Sequence, residues 1–187
     1  MKNQTIDDGK TILTTPSNPF ITLANGKPFY FLNPKPSDFN IENIAHSLSM
    51  LCRFVAQSDR FYTISQHCCL VSDILPDELK LEGLLHDSVE STMGDLPSAL
   101  KKIMPTYKEI EFAAETAMAS RFKLVFPFPP EIKLADTQLL ATEMRDFLPG
   151  STWETIPTTP LKERIEPWSI ERSKTEFLSR FFKLERK

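Results

Sequence analysis

The sequence predicts a mainly α-helical domain, a bundle of about six or seven helices with a small N-terminal β-hairpin. From Asn40 onward, apolar residues recur at intervals of three and four, the repeat of an amphipathic helix. Before that point, strand-favouring runs flank Asn25-Gly26, a strong hairpin signal. Proline-rich stretches at 127–130 and 149–160 then divide the later helices from one another.

The elements follow in order. Ile12-Leu13-Thr14-Thr15 and Phe20-Ile21-Thr22-Leu23 favour strand, and Phe29-Tyr30-Phe31 follows the Asn-Gly turn. Pro34 and Pro36 end this flap, which occupies residues 1–37. Asn40 or Asp38 can cap a helix running to about Ala56, with Ile41, Ile44, Leu48, Leu51 and Val55 on one face. Ser65 can cap the next, which carries His67 and runs to about Leu75. Pro76-Asp77-Glu78 opens a third, ending between Glu90 and Thr92. Gly94 breaks the chain, Pro97 starts a short helix toward Ile103, and Thr106 to Phe122 forms another. Residues 126–130 must be loop. Glu131 to Phe147 is helical and closes a catalytic core of residues 38–147. A proline-rich connection and a helix from Ser169 to Lys183, with Phe177, Phe181 and Leu184 on one side, complete a single domain.

A chain of 187 residues with 41% hydrophobic and 25% charged residues can bury a sizeable core. A net charge of −3 argues against a surface that coats nucleic-acid polymers, but leaves room for one local phosphate-binding pocket. Cys52, Cys68 and Cys69 have no metal-type spacing; an odd count with two adjacent thiols suits a reduced, cytoplasmic protein. No signal peptide and no membrane-length apolar run is evident.

The chemistry concentrates around His86-Asp87. The pair follows Leu84-Leu85; Glu90 comes four positions after His86, His67 lies 19 residues upstream, and Asp95 and Asp136 follow. Two of the three histidines belong to this constellation. Imidazoles and carboxylates drawn together from several helices suit a divalent metal that activates water. Burying Asp87 without a partner would be costly, and a metal resolves that cost. Arg53 sits among Leu51, Cys52, Phe54 and Val55, where an unpaired cation is disfavoured. Lys101 reads equally as a solvated helix-face charge, and Asp95 equally as a helix cap.

Ser65-Gln66-His67, Leu84-Leu85-His86-Asp87-Ser88-Val89-Glu90, Gly94-Asp95-Leu96-Pro97-Ser98-Ala99-Leu100-Lys101 and Ala135-Asp136 together resemble the HD-domain phosphohydrolases. The pattern is most similar to the 5'-deoxynucleotidase branch and its phage relatives, which include dATP triphosphohydrolases. The resemblance covers roughly Asn33 to Phe147. It implies His67, His86, Asp87 and Asp136 as metal ligands, and Glu90 as the residue that orients or deprotonates the attacking water. It implies Asp95 as a further acid/base, and Arg53 and Lys101 as phosphate-binding residues. Phe54, Val55 and Pro97 become walls of a base pocket, with ordinary core as their alternative. His46 becomes a support to Arg53 seven residues on.

The resemblance further implies a homo-oligomer; charge, cysteines and the lack of a membrane-length run lead to the expectation of a protein without membrane or nucleic-acid-polymer partners, in the cytoplasm, or in the host cytoplasm if phage-encoded. The metal could be Co, Mn, Zn or Mg. The expected activity is release of triphosphate from a deoxynucleoside triphosphate, with dATP the first candidate. A 5'-nucleotidase acting on deoxynucleoside monophosphates is the alternative. A non-catalytic, nucleotide-sensing module is the alternative of another class.

Overall fold

The computed structural model describes residues 18–185. Strands β1 (Phe20–Thr22) and β2 (Pro28–Tyr30) pair antiparallel, with Ile21 opposite Phe29. Asn25-Gly26 turns the chain as predicted, but inside a five-residue connection rather than a two-residue one. Leu23 N–H donates to the Lys27 carbonyl at 2.8 Å, and the Asn25 side chain accepts from Lys27 N–H at 3.0 Å. Gly26, at φ +78°, takes the left-handed position that other residues avoid. Phe29 is fully buried and packs edge-on against Phe31 and Phe39, which seats the hairpin on the helices. The strand expected at Ile12 to Thr15 lies outside the described residues.

The helices are α1 (Ile41–Met50), α2 (Ile64–Ile74), α3 (Lys80–Leu85), α4 (Glu90–Met93), α5 (Ser98–Lys101), α6 (Pro105–Phe122), α7 (Pro130–Phe147) and α8 (Ile170–Glu185). The protein is mainly helical with a small N-terminal hairpin, as the patterning predicts. Asn40 caps α1, its side chain accepting from Glu42 N–H and Asn43 N–H at 2.9 and 3.1 Å. Among the described residues no helix is long and apolar enough to cross a membrane.

Three boundaries differ from the sequence reading. The first helix stops at Met50 rather than Ala56, because Leu51 and Cys52 are extended and Cys52 forms an antiparallel bridge with Thr63. That bridge places Thr63, not Ser65, at the start of α2; Thr63 Oγ1 accepts from Gln66 N–H at 3.0 Å. Ser65 turns inward and donates to the Ser173 carbonyl on α8 at 2.9 Å. Finally, the helix expected from Pro76 to beyond Glu90 is interrupted at residues 86–89, where the metal-type residues lie.

Helix α2 stands between two apolar clusters. Ile64, Cys68 and Cys69 join Phe29, Leu48, Leu84, Met118 and Phe177, whereas Val71 and Leu75 join Tyr62, Ile132, Leu139 and Phe147. Each fully buried large side chain contributes roughly 1.5–3 kcal/mol. Phe177 and Phe181 both enter the first cluster, so α8 closes the core, while Phe182 stays 40% exposed. Gly83 sets how closely α3 approaches α2. A Cβ there would lie 2.3 Å from Leu75 Cδ1 and 3.3 Å from Ser72 Cα. That close approach brings the end of α3, and with it His86, against His67.

Candidate metal centre

His67 projects from the middle of α2 and is fully buried. Its Nδ1 lies 2.7 Å from Glu143 Oε1 on α7, and Glu143 also accepts from Tyr62 Oη at 2.8 Å. The Arg53 guanidinium approaches the other Glu143 oxygen at 3.1 Å, as an ion pair rather than an aligned hydrogen bond. Burial works to raise the Glu143 carboxyl, but Arg53, His67 and Tyr62 outweigh it and hold it below its ordinary range. Glu143 is therefore an anion that fixes the proton of His67 on Nδ1 and points Nε2 at the site.

His86 and Asp87 follow the last turn of α3. Over residues 85–92 the backbone bonds run three residues apart: Ser88 N–H to the Leu85 carbonyl, Glu90 N–H to the Asp87 carbonyl, Ser91 N–H to the Ser88 carbonyl. With about three residues per turn, His86 and Glu90 do not share the face that an α-helix would give them. His86 Nδ1 lies 2.8 Å from the Gly83 carbonyl. A carbonyl only accepts, so that nitrogen carries the proton and Nε2 presents a lone pair.

The two imidazoles thus face each other through their Nε2 atoms. The Nε2 atoms are 3.3 Å apart. Asp87 Oδ2 lies 3.5 Å from His67 Nε2 and 3.2 Å from His86 Nε2, and Asp136 Oδ1 lies 3.3 Å from His67 Nε2. Carboxylate oxygens and imidazole nitrogens cluster here, and either a second proton on His67 or a bound metal cation can satisfy them. Two ligand nitrogens about 2.0–2.1 Å from one ion stand about 3.0–3.4 Å apart, so the donor set fits a first-row divalent metal. His67, His86 and Asp87 could hold it, their ligand atoms all lying within 4.8 Å of one another. Asp136 stands beside this group with its Oδ1 toward His67, while Lys133 Nζ holds its other oxygen at 2.7 Å. Against burial, the facing imidazoles keep both Asp87 and Asp136 well below the usual carboxylate range. Burial opposes charge on His67, yet the surrounding carboxylates raise it to about 9; positive charge is strongly favoured at this point.

Asp87 and Asp136 form one edge of a cavity of about 540 Å³. Every other residue assigned to catalysis or substrate binding lines it: Arg53, Phe54, Val55, Glu90, Asp95, Pro97 and Lys101. Arg53 is 8% exposed and reaches Asp87 Oδ2 at 3.7 Å as well as Glu143. Lys101 Nζ lies 2.6 Å from Glu111 Oε1 and 3.6 Å from Glu90 Oε1, so it is a half-buried ion-pair member rather than a solvated face charge. Burial, then the neighbouring Asp87 and Asp95 charges, push the Glu90 carboxyl well above its usual range, and Glu90 Oε2 is buried without a hydrogen-bond partner. Asp95 is raised as well, chiefly by burial. Asp95 caps no helix, since Pro97 holds the position before α5. Phe54, Val55 and Ala56 take φ of +56°, +52° and +59°, a left-handed turn that projects the first two toward the cavity. For a β-branched residue such as Val55 this conformation is strained.

His46 is corrected. It is exposed on α1 and lines a different cavity with Ile21, Phe39 and Ser91. The seven-residue spacing to Arg53 carries no shared face, because the helix ends between them. Sequence reading also missed Glu143, Tyr62, Glu111 and Glu115. Glu143 lies two helical turns after Asp136, a signal that was available. Nothing local marks Tyr62 or Glu111.

No family model matches the chain. It is similar to the uncharacterized protein RCAP_rcc00048 of Rhodobacter capsulatus, 33% identical over 129 residues, 62% of this chain and 66% of that protein. It is also similar to the uncharacterized protein YfdR of Escherichia coli K12, 34% identical over 166 residues, which span 87% of this chain and 93% of that protein. At that identity and coverage, the chain belongs to the YfdR family.

Proposed function

We propose that the protein is a metal-dependent phosphohydrolase of deoxynucleotides, of the HD-domain kind that its motifs resemble. One observation carries this reading: His67, His86 and Asp87 cluster, with Asp136 beside His67, at the edge of a cavity that also presents Arg53 and Lys101. A divalent ion held by those four residues would lower the pKa of a water toward ~7.

The chain's own residues account for the remaining chemistry. Arg53 presents a guanidinium held in place by Glu143, which suits the non-bridging oxygens of a phosphate. Glu90 takes one proton of the attacking water while the water oxygen bonds to phosphorus and the ester bond breaks. Asp95 gives a proton to the leaving oxygen. Phe54, Val55 and Pro97 offer an apolar wall to the sugar and base.

The cations of the cavity favour a monophosphate. Arg53, Lys101 and Lys133 each stand within 3.1 Å of a carboxylate oxygen, which leaves little uncommitted positive charge for a triphosphate. We therefore place hydrolysis of deoxynucleoside 5'-monophosphates first and triphosphate release from dATP second, reversing the order that resemblance alone suggests. Chromatography of products from a panel of mono-, di- and triphosphates, with Co²⁺, Mn²⁺, Zn²⁺ or Mg²⁺, tests this. Phosphate and deoxynucleoside from dAMP are expected; triphosphate from dATP selects the second reading. Metal and nucleotide binding with no product in any mixture selects a sensing module and overturns both.

A further inference from the structure

The acceptor cluster has two open sides. Asp87, Asp136 and Lys133 line the cavity of about 540 Å³ and also a second one of about 220 Å³. The second is bounded by His86, by Phe128 and Pro129 ahead of α7, and by Glu115 from the middle of α6. Arg53, Glu90, Asp95 and Lys101 line only the larger cavity; His86 and Glu115 line only the smaller.

Glu115 is the unexplained group. It is partly buried, faces a cavity whose wall is apolar on the Phe128–Ile132 side and carries the acceptor cluster on the other, and makes no hydrogen bond or ion pair to any described residue. A carboxylate in that position has acceptor capacity left for solvent. The smaller cavity is roomy enough for several waters, each of which occupies about 30 Å³ in the liquid, and too small for a nucleotide. With the nucleotide filling the larger cavity, solvent reaches the Asp87–Asp136 edge through the smaller one.

We propose that the smaller cavity is a separate water entrance to the centre, and that Glu115 is a positioning residue that holds the incoming water by accepting its hydrogen bond. The inference rests on the phosphohydrolase reading. It explains why a carboxylate is kept beside proline and phenylalanine on a side of the centre that the substrate does not use.

The test compares wild type with Glu115→Leu and Glu115→Gln on the best substrate of the panel, with metal affinity measured in parallel by calorimetry. Glu115→Leu removes the acceptor and narrows the entrance; kcat should fall by about 10²-fold with KM and metal affinity unchanged. Glu115→Gln retains an acceptor oxygen and should recover most of the lost rate. Wild-type kcat in both variants overturns the entrance while leaving the phosphohydrolase reading intact. Metal affinity falling with kcat overturns it differently, making Glu115 a ligand. A wild-type protein that turns over no nucleotide overturns inference and reading together.

Discussion

Glu143 Oε1 lies 2.7 Å from His67 Nδ1, and this buried contact orients the imidazole at the bottom of the site. Partners of this kind fix the tautomer and basicity of a ligating histidine. Glu143→Gln should weaken metal affinity by about 10–100-fold, measured by chelator competition, while leaving the fold intact. Glu143→Ala should in addition lose about 3–5 kcal/mol of stability in urea, because the buried Arg53 would lose its nearer charge partner and keep only the longer contact to Asp87.

Arg53 separates charge from geometry. Arg53→Lys keeps the charge but loses the planar fork that spans Glu143 and Asp87. Steady-state kinetics should show KM for the monophosphate rising and kcat falling together. An unchanged KM would remove Arg53 from phosphate recognition.

Gly83 tests how the centre is assembled. Gly83→Ala forces Leu75 aside and presses on the Ser72 backbone, at a cost of about 1–3 kcal/mol typical of overpacking. Because α3 carries His86 against α2, metal affinity should fall along with the urea midpoint. A midpoint shift with metal affinity intact would uncouple helix spacing from the site.

Glu115 gives a pH dependence in the metal-free protein. Burial, then the nearby Glu111 charge, pushes its carboxyl up to about 7. A raised carboxyl favours the fold while it is neutral, so its contribution is complete below its ordinary value. That contribution is lost as pH rises through about 7. Relative to Glu115→Gln, wild type should therefore lose urea stability between pH ~5 and pH ~8. A constant difference across that range would contradict the assignment.

The thiols follow the same logic. Burial pushes Cys69 up to about 12 and Cys68 well above its usual range, whereas Cys52 is only partly buried. A disulfide reagent at pH 8 should react with one thiol in the native protein and with three after denaturation.

The legible part of this fold was the part set by local pattern. Periodicity located α6 and α7 to within a residue at each end, and Asn40 was readable as a cap. The boundaries that failed were decided by distant contacts. The Cys52–Thr63 bridge ended α1 and moved a cap from Ser65 to Thr63. The tight turn at residues 86–89 broke a helix whose apolar spacing continued through it. At the site, residue type and order singled out His67, His86 and Asp87, whose ligand atoms lie within 4.8 Å of one another, and Asp136, whose Oδ1 lies 3.3 Å from His67 Nε2. Glu143 and Tyr62 escaped because their role lies in a hydrogen bond to another residue's ring, which spacing in the chain does not encode.

The central claim is that the His67–His86–Asp87–Asp136 cluster holds a metal that makes the cavity hydrolytic. Its most direct measurement is product formation from dAMP and dATP by wild type and Asp87→Asn, each with bound metal quantified after dialysis against Mn²⁺ or Co²⁺. The account predicts bound metal and phosphoester hydrolysis in wild type, abolished by chelator, and loss of both in Asp87→Asn. Hydrolysis that survives chelation, or Asp87→Asn retaining metal and turnover at wild-type levels, would contradict it.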